Sequence, residues 1–187
     1  MDIVTAIIAL NSLIFALPFV INFSESGGGN SFLYFLSLGW KSNPDIADGE
    51  YYRLLTASFL HGGVFHLLVN MYSLWQVGPI VLRLFNPLGF SLVYLGSGVA
   101  GNLFSYWFNV RPSVGASGAI MGLLGSLVAV GLRTGNFGII SSVFLNLVII
   151  ALYGLSTDVI DNWGHLGGFV GGVLVAFLLS FTNLVNF

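Results

Sequence analysis

Gly115-Ala116-Ser117-Gly118 opens a glycine-rich apolar run that extends from Ala119 to Gly131. The stretch puts one hydroxyl in the first turn of a helix that begins inside a membrane. Small residues on both sides of Ser117 let backbone or a bound molecule approach closely. The start of a helix also offers unpaired N–H groups and the positive end of its dipole, which suit a developing negative charge. Taken alone, a serine or glycine in a membrane helix is more often a packing residue. The weight of Ser117 therefore depends on what else points at it.

The surroundings are apolar throughout. Of the 187 residues, 56% are hydrophobic and 6% are charged, against about 25% charged in soluble domains. Repeated apolar runs of about 20 residues match a hydrocarbon core of about 30 Å, so the chain reads as a multi-pass membrane protein. A net charge of −2 gives no basis for a nucleic-acid partner. There is no cysteine, hence no disulfide framework and no thiol nucleophile.

Six spans follow from the apolar runs: Ile3–Ile21, Val64–Phe85, Leu88–Phe108, Ser117–Leu132, Phe137–Tyr153 and His165–Phe181. The first has no basic segment before it and is long for a signal peptide, so it is expected to be retained. The predicted fold is an all-α bundle of six transmembrane helices forming one domain over residues 1–187. Ser24–Gly63 is a long first loop. Its short aromatic segment Phe32–Leu38, with Trp40, Tyr51 and Tyr52, suits the membrane interface.

Alternate helices run in the same direction. His66 and Asn70 near the start of the second span, Ser117 at the start of the fourth and His165 at the start of the sixth therefore share one depth. His66 and Asn70, four residues apart, project from one side of their helix. Gly164, Gly168 and Gly172 recur every four residues on the last span, and Gly118 and Gly122 on the fourth. Such ladders let helices touch backbone to backbone in lipid, bringing Ser117 within reach of His165. Ionisable groups inside spans are costly and mark functional sites. All three histidines, His61, His66 and His165, lie toward this one face. His61 and His66 are five residues apart, off a common helical face, and no His-Glu-x-x-His occurs, so no metal site is expected.

Gly115-Ala116-Ser117-Gly118, His66 with Asn70, the upstream His61 and Gly164-His165-Leu166-Gly167-Gly168 together resemble the rhomboid family of intramembrane serine proteases. The resemblance runs from about Tyr51 to the end of the sixth span. It implies Ser117 as nucleophile and His165 as general base, without a cofactor. The same resemblance places the side chains of His66 and Asn70, with the Ser117 backbone N–H, around an oxyanion. Gly115, Gly118 and Gly168 are supporting positions, and His61 is expected to be structural. Tyr52-Arg53 stands where the family often has Trp-Arg. Met121, one turn after Ser117, stands where many relatives carry an aromatic residue.

Asp161, one turn before His165, could orient the imidazole as the third member of a triad. It reads better as a solvated loop residue, and the resemblance implies a dyad. The resemblance also implies membrane-protein substrates cut in or near their spans, and a fifth helix that admits them. It places the protein in the cell membrane, with a cytoplasmic N-terminus. Charge alone does not settle orientation: Arg83 and Arg133 fall on one side, Lys41, Arg53 and Arg111 on the other. Two other classes remain open, a catalytically silent rhomboid-like protein that binds transmembrane clients and a small channel or transporter. The latter would be expected to show inverted repeats, which are absent.

Overall fold

The computed structural model describes residues 1–21, 31–141, 143 and 160–185. Among these residues the structure is helical, with only two isolated β-bridges. Five helices are long and apolar enough to cross a membrane: α1 (Ile3–Val20), α5 (Val64–Leu84), α6 (Pro87–Phe108), α7 (Ser117–Thr134) and α8 (Asn162–Leu179). The expected fifth span, 137–153, lies largely outside the described residues, although residues 137–141 are helical. The protein is a multi-pass helical membrane bundle.

Local chemistry sets the helix starts. Asp2 caps α1 by accepting from the Thr5 amide at 2.8 Å. Asn86 caps α6 by accepting from Gly89 at 2.9 Å, and Pro87 supplies the first helical residue. Both devices satisfy or remove amides that have no acceptor within their helix. The last helix begins three residues earlier than the apolar run suggests, at Asn162 rather than His165. Its cap is Asp161, which accepts from the Gly164 amide at 3.1 Å. His165 is thus the fourth helical residue and does not open the helix.

α7 is the centre of the bundle: 67% of its span is buried, against 17% for α1. It packs between α6 and α8, with α5 on a further side. Van der Waals packing drives helix association in lipid, and the glycine ladder makes that packing close. A Cβ on Gly168 would fall on the Gly118 carbonyl, and one on Gly172 on the Gly122 carbonyl. α1 is peripheral and leans on α5.

The long first loop folds into short helices, α2 (Ser31–Ser37), α3 (Asn43–Ala47) and α4 (Arg53–Thr56), followed by a 3-10 turn over Ala57–Phe59. Phe32 of α2 meets Phe15 and Phe19 of α1 at ring separations of 5.6 Å. Arg53 organises the rest from a buried position. Its guanidinium donates to Glu50 at 2.6 Å and to the Ser37 carbonyl at 2.7 Å, and pairs with Asp45 at 3.2 Å. A planar fork of five donors can serve several acceptors at once. That geometry accounts for an arginine beside Tyr52.

Candidate active site

The site is built where α7 begins. Gly115 has φ of +135°, a backbone region that side-chain-bearing residues rarely adopt. Its N–H donates to the Ala57 carbonyl at 2.9 Å, which fixes the approach to the helix. A Cβ on Gly115 would lie 2.8 Å from both Cε1 and Nε2 of His66. The His66 ring therefore occupies the space that glycine leaves free. Two further residues on, Ser117 is the first residue of α7, so its N–H has no acceptor within the helix.

His165 reaches Ser117 across the α7–α8 seam, with Nε2 2.8 Å from Oγ. The seam is narrow because three helices meet on backbone. A Cβ on Gly101 would lie 2.7 Å from the Gly164 carbonyl, and one on Gly118 would lie 3.3 Å from the same oxygen. Ser117 and His165 are both half-buried, open enough for exchange with a bound molecule. Met121 lies in the hydrophobic core one turn beyond Ser117.

His66 accepts from the Gly62 amide through Nδ1 at 3.4 Å. In a neutral ring that contact leaves the proton on Nε2, the atom beside Gly115. Asn70 is buried, and its side-chain amide donates to the His66 carbonyl at 2.9 Å. One of its two amide hydrogens is thus used within α5, leaving the second.

His61 supports this wall. Its ring meets that of His66 edge-on at 5.2 Å, and it is 1% exposed. Neither ring nitrogen has a partner among the described residues. Burial, helped by the neighbouring His66, pushes the imidazole down from 6.5 to about 3. The folded protein thus binds fewer protons here than the unfolded chain between those values. His61 contributes stability above pH 6.5 that is lost as pH falls toward 3. The expected slope is on the order of 1 kcal/mol per pH unit. Between pH 7 and 4 the stability of the wild type should fall relative to that of His61→Phe by that slope; a stability difference that does not change with pH would refute this.

Asp161 requires a correction. It is not a solvated loop residue: besides capping α8, its carboxylate accepts a short hydrogen bond from the Ser105 hydroxyl of α6. Among the described residues no carboxylate bonds to the His165 ring. Ser105 was not singled out from sequence, and neither was Lys41. The Lys41 side chain is fully buried and donates to the Asn109 and Arg111 carbonyls at 2.7 and 2.6 Å. The available signal for Lys41 was its being the only lysine in the chain.

The arrangement thus places a serine hydroxyl within hydrogen-bond distance of an imidazole nitrogen, with the His66 ring beside the glycine two residues before that serine. Among the described residues no group of three His, Cys, Asp or Glu side chains is placed to hold a metal ion. The family model of the Rhomboid domain matches residues 48–181, which include His66, Asn70, Gly115, Ser117 and His165.

The chain belongs to the rhomboid family.

Relatives agree with that placement. The rhomboid protease GluP of Bacillus subtilis (strain 168) is 38% identical over 159 residues, covering 83% of this chain and 31% of GluP. RHOMBOID-like protein 1 of Arabidopsis thaliana is 40% identical over 136 residues, covering 69% of this chain and 34% of its own. Inactive RHOMBOID-like protein 8 of the same plant is 33% identical over 140 residues, covering 71% and 39%. The rhomboid chain described here spans roughly a third of the length of these relatives. Since one relative is named a protease and another inactive, activity has to be argued from the site.

Proposed function

We propose that this rhomboid is an intramembrane serine endopeptidase that cuts membrane proteins in or near their transmembrane segments. The observation that carries the reading is the 2.8 Å contact between Ser117 Oγ and His165 Nε2 at the seam of a membrane bundle. Serine is a weak nucleophile until a base takes its proton. His165 accepts that proton as Oγ attacks the scissile carbonyl carbon. The resulting oxyanion faces the His66 Nε2–H, the free Asn70 amide hydrogen and the Ser117 N–H. Collapse breaks the C–N bond, and His165 returns the proton to the leaving amine. Water then hydrolyses the acyl-enzyme by the same route in reverse. No cofactor enters these steps. Residues 1–187 act as one membrane domain in this reading, in the cell membrane, with the N-terminus cytoplasmic and the dyad toward the outer face.

The test is labelling of the purified protein by a fluorophosphonate, with the modified residue mapped by mass spectrometry. Adduct on Ser117 alone, together with cleavage of a model transmembrane substrate, is the expected result. In the same assays Asn70→Ala should fold and lose about 10²–10³-fold in turnover, the usual effect of removing one oxyanion donor. A folded wild type that neither labels nor cleaves would overturn the proposal and favour the second class, a silent protein that binds transmembrane clients.

A further inference from the structure

Lys41 and Asp161 are both charged and largely buried, and neither touches the Ser117 hydroxyl or the His165 ring. Their hydrogen bonds converge on the two segments that carry those groups. On one side, Asp161 caps α8 and immediately precedes it, and the His165 amide donates to the Asp161 carbonyl at 3.0 Å. The Asp161 carboxylate also accepts from Ser105. On the other side, the Ser105 hydroxyl lies 3.3 Å from that of Ser113, four residues before Ser117.

Ser113 is in turn paired with Lys41 through two backbone hydrogen bonds, of 2.9 and 3.1 Å. The Lys41 ammonium donates to Asn43 at 3.0 Å and to the Asn109 and Arg111 carbonyls, gripping the segment that leads into α7. All three ammonium hydrogens are used. Burial disfavours ionisation of Asp161, but donors from Ser105, Gly164, Asn109 and Ser113 outweigh it and hold the carboxyl below its ordinary 3.8. Burial pushes Lys41 down from 10.5, and the charge of Asp161 opposes that shift.

We propose that Asp161 and Lys41 are positioning residues that, through Ser105 and Ser113, hold the segment before Ser117 and the first turn of α8 at one fixed separation. The inference rests on the Ser117–His165 reading above. A buried polar network acts as a rigid element only while each member is satisfied. Loss of one member frees two segments whose alignment sets the reaction geometry. A misplacement of about 1 Å can cost about 10²-fold in rate.

The experiment measures fluorophosphonate labelling of the full chain over time and separates the inactivation rate constant from the final fraction labelled. Asp161→Ala should lower the rate constant about 10²-fold. Asp161→Asn, which can still cap α8 and accept from Ser105, should recover at least about tenfold of that. Lys41→Met leaves the α8 cap intact and should slow labelling about tenfold, so the inference stays testable if Asp161→Ala does not fold. A merely structural role would lower the labelled fraction and leave the rate constant of the folded remainder unchanged. That result, wild-type rates in Asp161→Ala and Lys41→Met, or no recovery in Asp161→Asn would overturn the inference alone. A wild type that does not label would overturn it together with the Ser117–His165 reading.

Discussion

Ser117→Ala and His165→Ala should each reduce fluorophosphonate labelling to background and cleavage of a transmembrane substrate by about 10⁶-fold. Members of a nucleophile–base pair act as a unit, so removing either costs about as much as removing both. Ser117→Ala deletes the attacking oxygen. His165→Ala leaves the oxygen in place with no base at hydrogen-bond distance, because the Asp161 carboxylate is committed to Ser105 and Gly164. Neither change threatens the fold: alanine is a good helix former, and both side chains are only half-buried. The double variant should be no slower than either single one. Additive losses would mean that the two residues act independently, and retained labelling in Ser117→Ala would assign the nucleophile elsewhere.

The second large effect is expected at Gly168, one turn beyond His165, a residue with no side chain to take part in the reaction. A Cβ there would overlap the Gly118 carbonyl and lie 2.9 Å from the Gly118 Cα. Rotamer changes cannot relieve the overlap, because Cβ has no torsion of its own and the obstacle is backbone. Gly168→Leu must therefore part α7 from α8, and with them Ser117 from His165. Labelling should fall by at least about 10²-fold, and overpacking should destabilise the protein by about 1–3 kcal/mol or more. Gly168→Ala should fall between leucine and wild type. The control is Gly63→Ala, since a Cβ on Gly63 meets nothing within 4 Å and its backbone is extended. Wild-type labelling in Gly168→Leu would show that the glycine ladder does not set the distance across the seam.

Much of this architecture was readable along the chain because membrane helices are specified locally. Each span must satisfy its own backbone hydrogen bonds in lipid, so an apolar run of the right length is nearly sufficient. The starts of α5 and α7 follow from this, and so does the shared depth of His66, Asn70, Ser117 and His165. The spacing of Gly118, Gly122, Gly164, Gly168 and Gly172 pointed to the seam, since only small residues permit that contact.

Polar residues were harder to read because their role depends on partners distant in sequence. Asp161 in a polar loop looks solvated until α6 brings Ser105 against it, 56 residues away. Lys41 counts only as one of three positive charges on its side until the carbonyls of Asn109 and Arg111, 68 and 70 residues further on, close over it. The start of α8 lies before the expected one for a local reason: an apolar run marks where burial begins, and the Asp161 cap lies before it.

The sequence by itself determined a rhomboid bundle, its spanning helices and the depth shared by a serine and its histidine. Only the tertiary structure decided that Nε2 and Oγ lie 2.8 Å apart and that His66 turns Nε2 toward Gly115. It also showed Asp161 holding α8 without touching the imidazole. Hydrophobic pattern fixes how deep a residue sits, whereas hydrogen-bond partners depend on how helices are arranged in the plane of the membrane.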